Sequence, residues 1–288
     1  MRAFRPLPVD RIAYPAICAP LVARTQAALA QEAADVAAKQ PDLLEWRVDF
    51  FEGLADAKAV AAALESIHAA SGGLALLFTR RSSKEGGEPI AASEDQVLSA
   101  YAAACGSGRV ALVDFEMGND PAHVRRVREQ SLAHGVKLVL SFHDFAGTPE
   151  AAVLDEKFAL AQELGADVAK VAVMPRSMDD VLRLLAATLR ASQSLRIPVV
   201  SMSMGGPGAL TRLCGAQFGS AMTSPSAAPP PPPDSSRSRT CNTRSRCCDA
   251  RGEAGSLFHR PTPTTGLRQP AVGMGDALRV LLRLSCRT

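Results

Sequence analysis

The chain has 288 residues, long enough for one large α/β domain or two small ones, and 47% hydrophobic with 21% charged content is ordinary for a soluble globular protein. No run reaches the ~18 uninterrupted apolar residues of a membrane span. The opening Met-Arg-Ala-Phe-Arg-Pro has no apolar core of signal-peptide length, so a cytoplasmic protein is expected. The formal charge of +3 is uneven: residues 1–223 sum to −3 and residues 224–288 to +6.

Short apolar runs predict strands at Ala16–Val22, Leu43–Phe50, Leu74–Arg81, Val110–Met117, Lys137–Phe145, Val168–Pro175, Pro198–Met204 and Phe218–Thr223. Amphipathic segments separate them at Thr25–Lys39, Ala57–Ala70, Ser93–Cys105, Pro121–Gly135, Glu150–Leu164, Ser177–Ser192 and Gly208–Gly215. In the sixth of these, Met178, Val181, Leu182, Leu184, Leu185 and Leu189 recur at helical spacing. Ser177 reads as its N-cap, and Asp179 and Asp180 lie in the first turn, where the helix dipole favours acids.

Eight strands alternating with helices predict a (β/α)8 TIM barrel over residues 1–223. A doubly wound open sheet has the same alternation. The polar residues favour the barrel: Glu45, Arg47, Arg81, Glu116, His143 and Lys170 lie near the C-terminal ends of five different strands. A barrel brings those ends to one mouth, whereas an open sheet spreads them along an edge.

The character changes after Thr223. Pro229–Pro233 favours polyproline II, and the Pro/Arg/Ser-rich segment 224–274 reads as disordered. Residues 275–288 hold one short helical pattern at Asp276–Leu284. Cys241, Cys247, Cys248 and Cys286 crowd this region without zinc-ligand spacing, so no metal site is expected. Arg237, Arg239, Arg244 and Arg246 suit salt-sensitive phosphate contacts, but no aromatic residue interleaves them to stack bases.

Lys170 is flanked by Val168, Ala169, Val171, Ala172 and Val173. Burial in such a run is expected to depress its pKa and free a neutral amine for imine formation; a lysine that snorkels out or pairs with an acid is the other reading. His143 at a strand end suits a general acid/base, or a satisfied core histidine. Glu85, in a Gly-flanked turn, would orient that imidazole or stand as an exposed loop acid. Arg47, Arg81 and Arg212 suit bidentate carboxylate recognition, or are surface arginines. Glu45 would accept from substrate hydroxyls or pair with an arginine.

Six motifs in order resemble type I 3-dehydroquinate dehydratase: Glu45-Trp46-Arg47-x-Asp49, Phe-Thr-x-Arg81-x-x-Lys-Glu85-Gly-Gly-Glu, Ser-x-His143-Asp-Phe, Lys170-x-Ala-x-Met-Pro, Leu-Leu-Ala-Ala-Thr-Leu and Ser-Met-Ser-Met. The resemblance spans about Pro15 to Thr223. It implies a cofactor-free, metal-free (β/α)8 barrel, usually a homodimer, dehydrating 3-dehydroquinate to 3-dehydroshikimate. Lys170 would form the imine, and His143 would move the protons with Glu85 behind it. Glu45, Trp46, Arg47, Arg81 and Arg212 would bind substrate, with Arg212 on its carboxylate. A class I aldolase also uses a barrel lysine but fits these histidine and arginine motifs less well. A dead barrel with a nucleic-acid-binding tail is a third reading.

The resemblance ends after Thr223. Family members continue into a Ser-Ala-Pro-Gly-Gln loop that closes over the substrate, then a last helix. Here neither pattern follows, and a shifted reading frame near position 223 is the expected cause of the abrupt change. A barrel whose last helix is missing or replaced should expose apolar surface around its first and eighth strands and turn over weakly or not at all.

Overall fold

The computed structural model describes residues 15–224. The segments assigned above to 224–274 and 275–288 therefore lie, apart from Ser224, outside the described residues. So do the four tail cysteines, the tail arginines and the Asp276–Leu284 helix.

Strands β1 (Ala16–Leu21), β2 (Leu43–Arg47), β3 (Ala75–Thr79), β4 (Leu112–Glu116), β5 (Lys137–Asp144), β6 (Val168–Val173), β7 (Val199–Ser203) and β8 (Met222–Thr223) alternate with seven helices. These are α1 (Gln26–Ala37), α2 (Ala57–Ala70), α3 (Glu94–Gly106), α4 (Pro121–Ala133), α5 (Ala151–Glu163), α6 (Met178–Ser194) and α7 (Ala209–Cys214). Each strand pairs in parallel with the next from β1 to β7, and β8 returns to β1 through Ala16↔Met222 and Ile17↔Thr223. The circle closes where Val199 bridges Ser220 and the Ala221 amide donates to the Val199 carbonyl at 2.8 Å. The architecture is the expected (β/α)8 barrel, not an open sheet.

Helix starts follow the local chemistry. Thr25, Asp56, Ser93, Asp120 and Ser177 each accept an amide of the first turn, and Ser93 with Gln96 completes a capping box. Each such cap contributes about 1 kcal/mol.

Alternation along the strands divides the core in two. Leu44, Trp46, Leu76, Phe78, Val113 and Phe115 face outward and pack beneath the helices. Ala16, Cys18, Leu43, Leu77, Leu112, Val139, Val168, Val200 and Met222 fill the barrel floor. Outside the barrel, Trp46, Phe51, Phe78, Tyr101 and Phe115 form a chain of edge-to-face rings with centroids 5.1–5.6 Å apart, a favoured aromatic geometry.

Two strands are shorter than the apolar runs suggest. β2 ends at Arg47 because the buried Asp49 carboxylate accepts from the amides of Arg81 and Glu88, drawing Val48–Phe50 into a 3-10 turn. β8 keeps two residues because Gly215–Phe218 forms a 3-10 turn closed by left-handed Gly219. Ile17 on β1 is 37% exposed, whereas the outward-facing Leu44 of β2 is fully buried; whatever follows Ser224 lies outside the described residues.

Candidate active site

Two residues beyond the floor, the inward positions turn polar. Glu45, Thr79, Asp114, Ser141 and Lys170 succeed Leu43, Leu77, Leu112, Val139 and Val168 on five strands. A further two residues bring Arg47, Arg81, Glu116 and His143. A period of two thus carries the chain from a dry floor to a charged mouth within one strand length.

Lys170 is the deepest cation. Its Nζ lies 2.8 Å from Asp114 Oδ2 and 3.4 Å from Glu45 Oε1. The Thr79 hydroxyl donates to the same Glu45 oxygen at 2.9 Å. Arg81 reaches Asp114 Oδ1 at 2.8 Å, Glu116 Oε1 at 3.2 Å and Glu85 Oε2 at 3.5 Å. Ser141 ties the two halves together, donating to Asp114 Oδ1 at 2.6 Å and accepting from Arg81 at 2.8 Å. The network is buried and fully hydrogen-bonded at Asp114, which is what makes an internal ion cluster tolerable.

The protonation of Lys170 differs from the sequence reading. Burial does pull its pKa down, but Asp114 and Glu45 more than offset that, leaving it above its ordinary value. The apolar flanks Ala169, Val171 and Val173 face outward, away from the amine, so the strand's composition misrepresents its surroundings. Lys170 therefore rests as an ammonium with a counter-ion and must lose a proton before it can add to a carbonyl.

A proton acceptor stands on the neighbouring strand. β5 and β6 pair Ser141 with Lys170 and His143 with Ala172, so His143 sits one inward step nearer the mouth than the amine. Burial, then Arg81 and Lys170, hold the imidazole well below its ordinary pKa, so it is neutral at pH 7. Its Nδ1 lies 2.8 Å from Glu85 Oε2, and its backbone N–H donates to the same oxygen at 3.1 Å. Glu85 is half-buried rather than an exposed loop acid. Burial, and then the neighbouring Glu116, raise its pKa to about 8.

The turn that presents Glu85 is tight. The Gly87 amide donates to the Ser82 carbonyl at 2.8 Å, and a Cβ on Gly87 would collide with the Arg81 carbonyl. Gly87→Ala must move the backbone carrying both Arg81 and Glu85. A displacement of about 1 Å commonly costs roughly 100-fold in rate. Steady-state kinetics on folded Gly87→Ala should show that loss, and wild-type kcat would contradict it.

Of the remaining expected site residues, Arg47 lies at the mouth, bound bidentately to Asp49 at 2.8 and 2.9 Å and stacked 5.2 Å from the Phe50 ring. Arg212 lies on the rim, donating to the carbonyls of Ser203 and Ser224 just where β7 and β8 end, and shares no contact with the Lys170 cluster. Trp46 requires correction as a substrate contact. It is fully buried on the outward face of β2 against Phe51 and Phe78, because it alternates with inward Glu45 and Arg47.

Asp114, which holds both Lys170 and Arg81, is absent from the sequence-derived set, as are Thr79 and Ser141. Alternation would have found Asp114: Glu116 is inward at the strand end, so the acid two residues earlier is inward as well.

The cluster can therefore form an imine on an amine, move a proton beside it and bind an anionic substrate. Residues 17–239 match the model of the family described as Type I 3-dehydroquinase. The 3-dehydroquinate dehydratase of Albidiferax ferrireducens is 55% identical over 209 residues, covering 73% of this chain and 79% of that protein. That of Aromatoleum aromaticum is 48% identical, covering 73% and 80%. The crystal structure of the Geobacillus kaustophilus enzyme superposes with a TM-score of 0.70 at 45% identity, covering 76% of this chain and 84% of that one. A Clostridium difficile type I enzyme, solved with covalently modified comenic acid, gives 0.72 at 36% identity, covering 77% and 88%. With the family model spanning the whole barrel and relatives this similar, the chain belongs to the type I 3-dehydroquinase family.

Proposed function

We propose that this protein dehydrates 3-dehydroquinate to 3-dehydroshikimate through an imine on Lys170, a step of the shikimate route to aromatic amino acids. The observation carrying the reading is the buried Lys170 ammonium, paired with Asp114 and one inward step below the neutral His143 held by Glu85. Lys170 gives up a proton, adds to the C3 ketone and releases water to form the imine. His143 then takes a proton from C2, and the electron pair enters the imine as an enamine. The enamine expels the C1 hydroxyl, which leaves as water with the proton from His143, creating the C1–C2 double bond. A second water hydrolyses the imine and returns the amine. Glu45, Arg47 and Arg81 line the pocket, and rim residue Arg212 takes the substrate carboxylate once it releases its backbone carbonyls.

Incubation of the full chain with 3-dehydroquinate and borohydride tests this. Reduction of the imine should leave a covalent adduct, located on Lys170 by peptide mass, and Lys170→Met should leave none. An unmodified Lys170 in folded wild-type protein would overturn the reading. The Ser-Ala-Pro-Gly-Gln closing loop is not found in the sequence after Thr223, so the adduct is expected even where multiple turnover is slow.

A further inference from the structure

We propose that Tyr101, on α3 outside the barrel wall, is a positioning residue for the imine site, acting through the backbone ends of β3 and β4. This rests on the assignment of Lys170 as the reacting amine. Tyr101 is fully buried, and its ring stacks edge-to-face on Phe78 of β3 and Phe115 of β4. Its hydroxyl stands between the two strands. It accepts from the Arg80 amide at 3.1 Å and donates to the Asp114 carbonyl at 2.6 Å. Thr79↔Asp114 is the last β3–β4 pair, so the phenol takes over where the ladder ends. Burial keeps the phenol neutral, which preserves its donor and acceptor together.

The two backbone groups it joins belong to residues that set the site. Asp114 is itself the counter-ion of Lys170, and Arg80 immediately precedes Arg81, which holds Asp114 Oδ1. With the phenol in place, the gap between the strand ends is fixed by two hydrogen bonds. Without it, two buried backbone groups lose their partner, a cost that drives the strand ends to shift. A shift there moves Asp114 relative to Lys170. The titratable groups facing Lys170 are Glu45 from β2, Arg81 after β3, Asp114 from β4 and the neutral His143 from β5, with the Cys18 thiol below it on β1. Asp114 is the closest of them, so Lys170 registers the movement most directly.

The test is the titration of Lys170 in ligand-free full chain, followed by NMR of lysine labelled with 13C at Cε. Tyr101→Phe keeps the ring and removes the hydroxyl. It should lower the Lys170 midpoint by roughly one unit, about tenfold in neutral amine at a given pH. Phe78→Leu loosens the same aromatic layer but leaves the hydroxyl, so it should lower Tm without moving the midpoint. An unmoved midpoint in Tyr101→Phe, or an equal shift in Phe78→Leu, would overturn the proposal. If Tyr101→Phe does not fold, hydrogen exchange of the wild-type Arg80 amide decides. Protection matching Phe78 supports the strut, and rapid exchange refutes it. Because the titration needs no substrate, a wild-type enzyme that forms no borohydride adduct sinks the function reading alone.

Discussion

Asp114→Leu should cost about 3 kcal/mol of folding stability, the lower part of the range for breaking a buried ion pair. Asp114 is fully buried, and its two oxygens serve Lys170, Arg81 and Ser141. Leucine removes the charge and leaves two cations facing an apolar group. Arg81 cannot shed its proton, but it keeps the Glu116 carboxylate and the Ser141 hydroxyl. Lys170 keeps only the longer contact to Glu45 and escapes by losing its proton, which caps the penalty. The double variant Asp114→Leu/Lys170→Met should recover much of the loss, since removing both partners costs less than stranding one. Urea unfolding of the two singles and the double measures this coupling. Strict additivity would show that the 2.8 Å contact stabilises nothing.

The same pair sets a pH window. Asp114 is held well below its ordinary range; burial opposes this, but Arg81 and Lys170 outweigh it. A depressed folded pKa means its stabilisation is present above the unfolded value, near ~4, and is lost as pH falls through the folded one. Lys170 is shifted upward, so its stabilisation is present below the unfolded value, near ~10, and is lost as pH rises through the folded one. In Asp114→Leu both dependences should shrink, flattening stability at either extreme.

The barrel was legible because its elements repeat one pattern. Eight apolar runs with capped helices between them allow few topologies, and strand-end placement of Glu45, Arg81, His143 and Lys170 decided among those. The site was legible at the strand ends and, one layer down, at Glu45 and Lys170, but not at Asp114, Thr79 and Ser141 of that same layer. Asp114 and Ser141 sit mid-strand among apolar neighbours, where a polar residue looks like an interruption, and Thr79 closes β3 with no charge to mark it. Trp46 shows the converse error: a motif neighbour of two site residues faces the other way because strands alternate. Lys170 shows why local composition misleads about electrostatics. Its sequence neighbours are valines and alanines, while its spatial neighbours come from 56 and 125 residues away. Tyr101 carries no motif at all, since its role depends on a helix meeting a gap between two strands.

The largest kinetic effect apart from loss of Lys170 itself should come from His143→Ala, which is expected to lower turnover by roughly 100- to 10,000-fold, the range for a general acid/base. Imine formation should survive, because Lys170 keeps its Asp114 counter-ion and water can carry its proton. Borohydride should therefore still capture an adduct on Lys170, and its mass should be that of the unreacted substrate rather than the dehydrated product. Loss of capture in a folded His143→Ala chain would place the histidine in imine formation instead. The pH dependence follows from Glu85. With its pKa at about 8 against an ordinary 4.5, Glu85 is protonated in the folded protein at neutral pH. Ionisation makes Glu85 Oε2 an acceptor for the Nδ1 proton of His143, leaving the other ring nitrogen free as the base. Single-turnover dehydration in wild type should accordingly rise as pH climbs through about 8. Glu85→Gln cannot ionise and should lose that limb. Between 4.5 and about 8 the folded chain also holds a proton at Glu85 that the unfolded chain has released, so this group's contribution to stability falls as pH rises across the window. Denaturation of wild type and Glu85→Gln at pH 5 and pH 8 should show that fall only in wild type. A rate limb that persisted in Glu85→Gln would assign the titration to another member of the cluster.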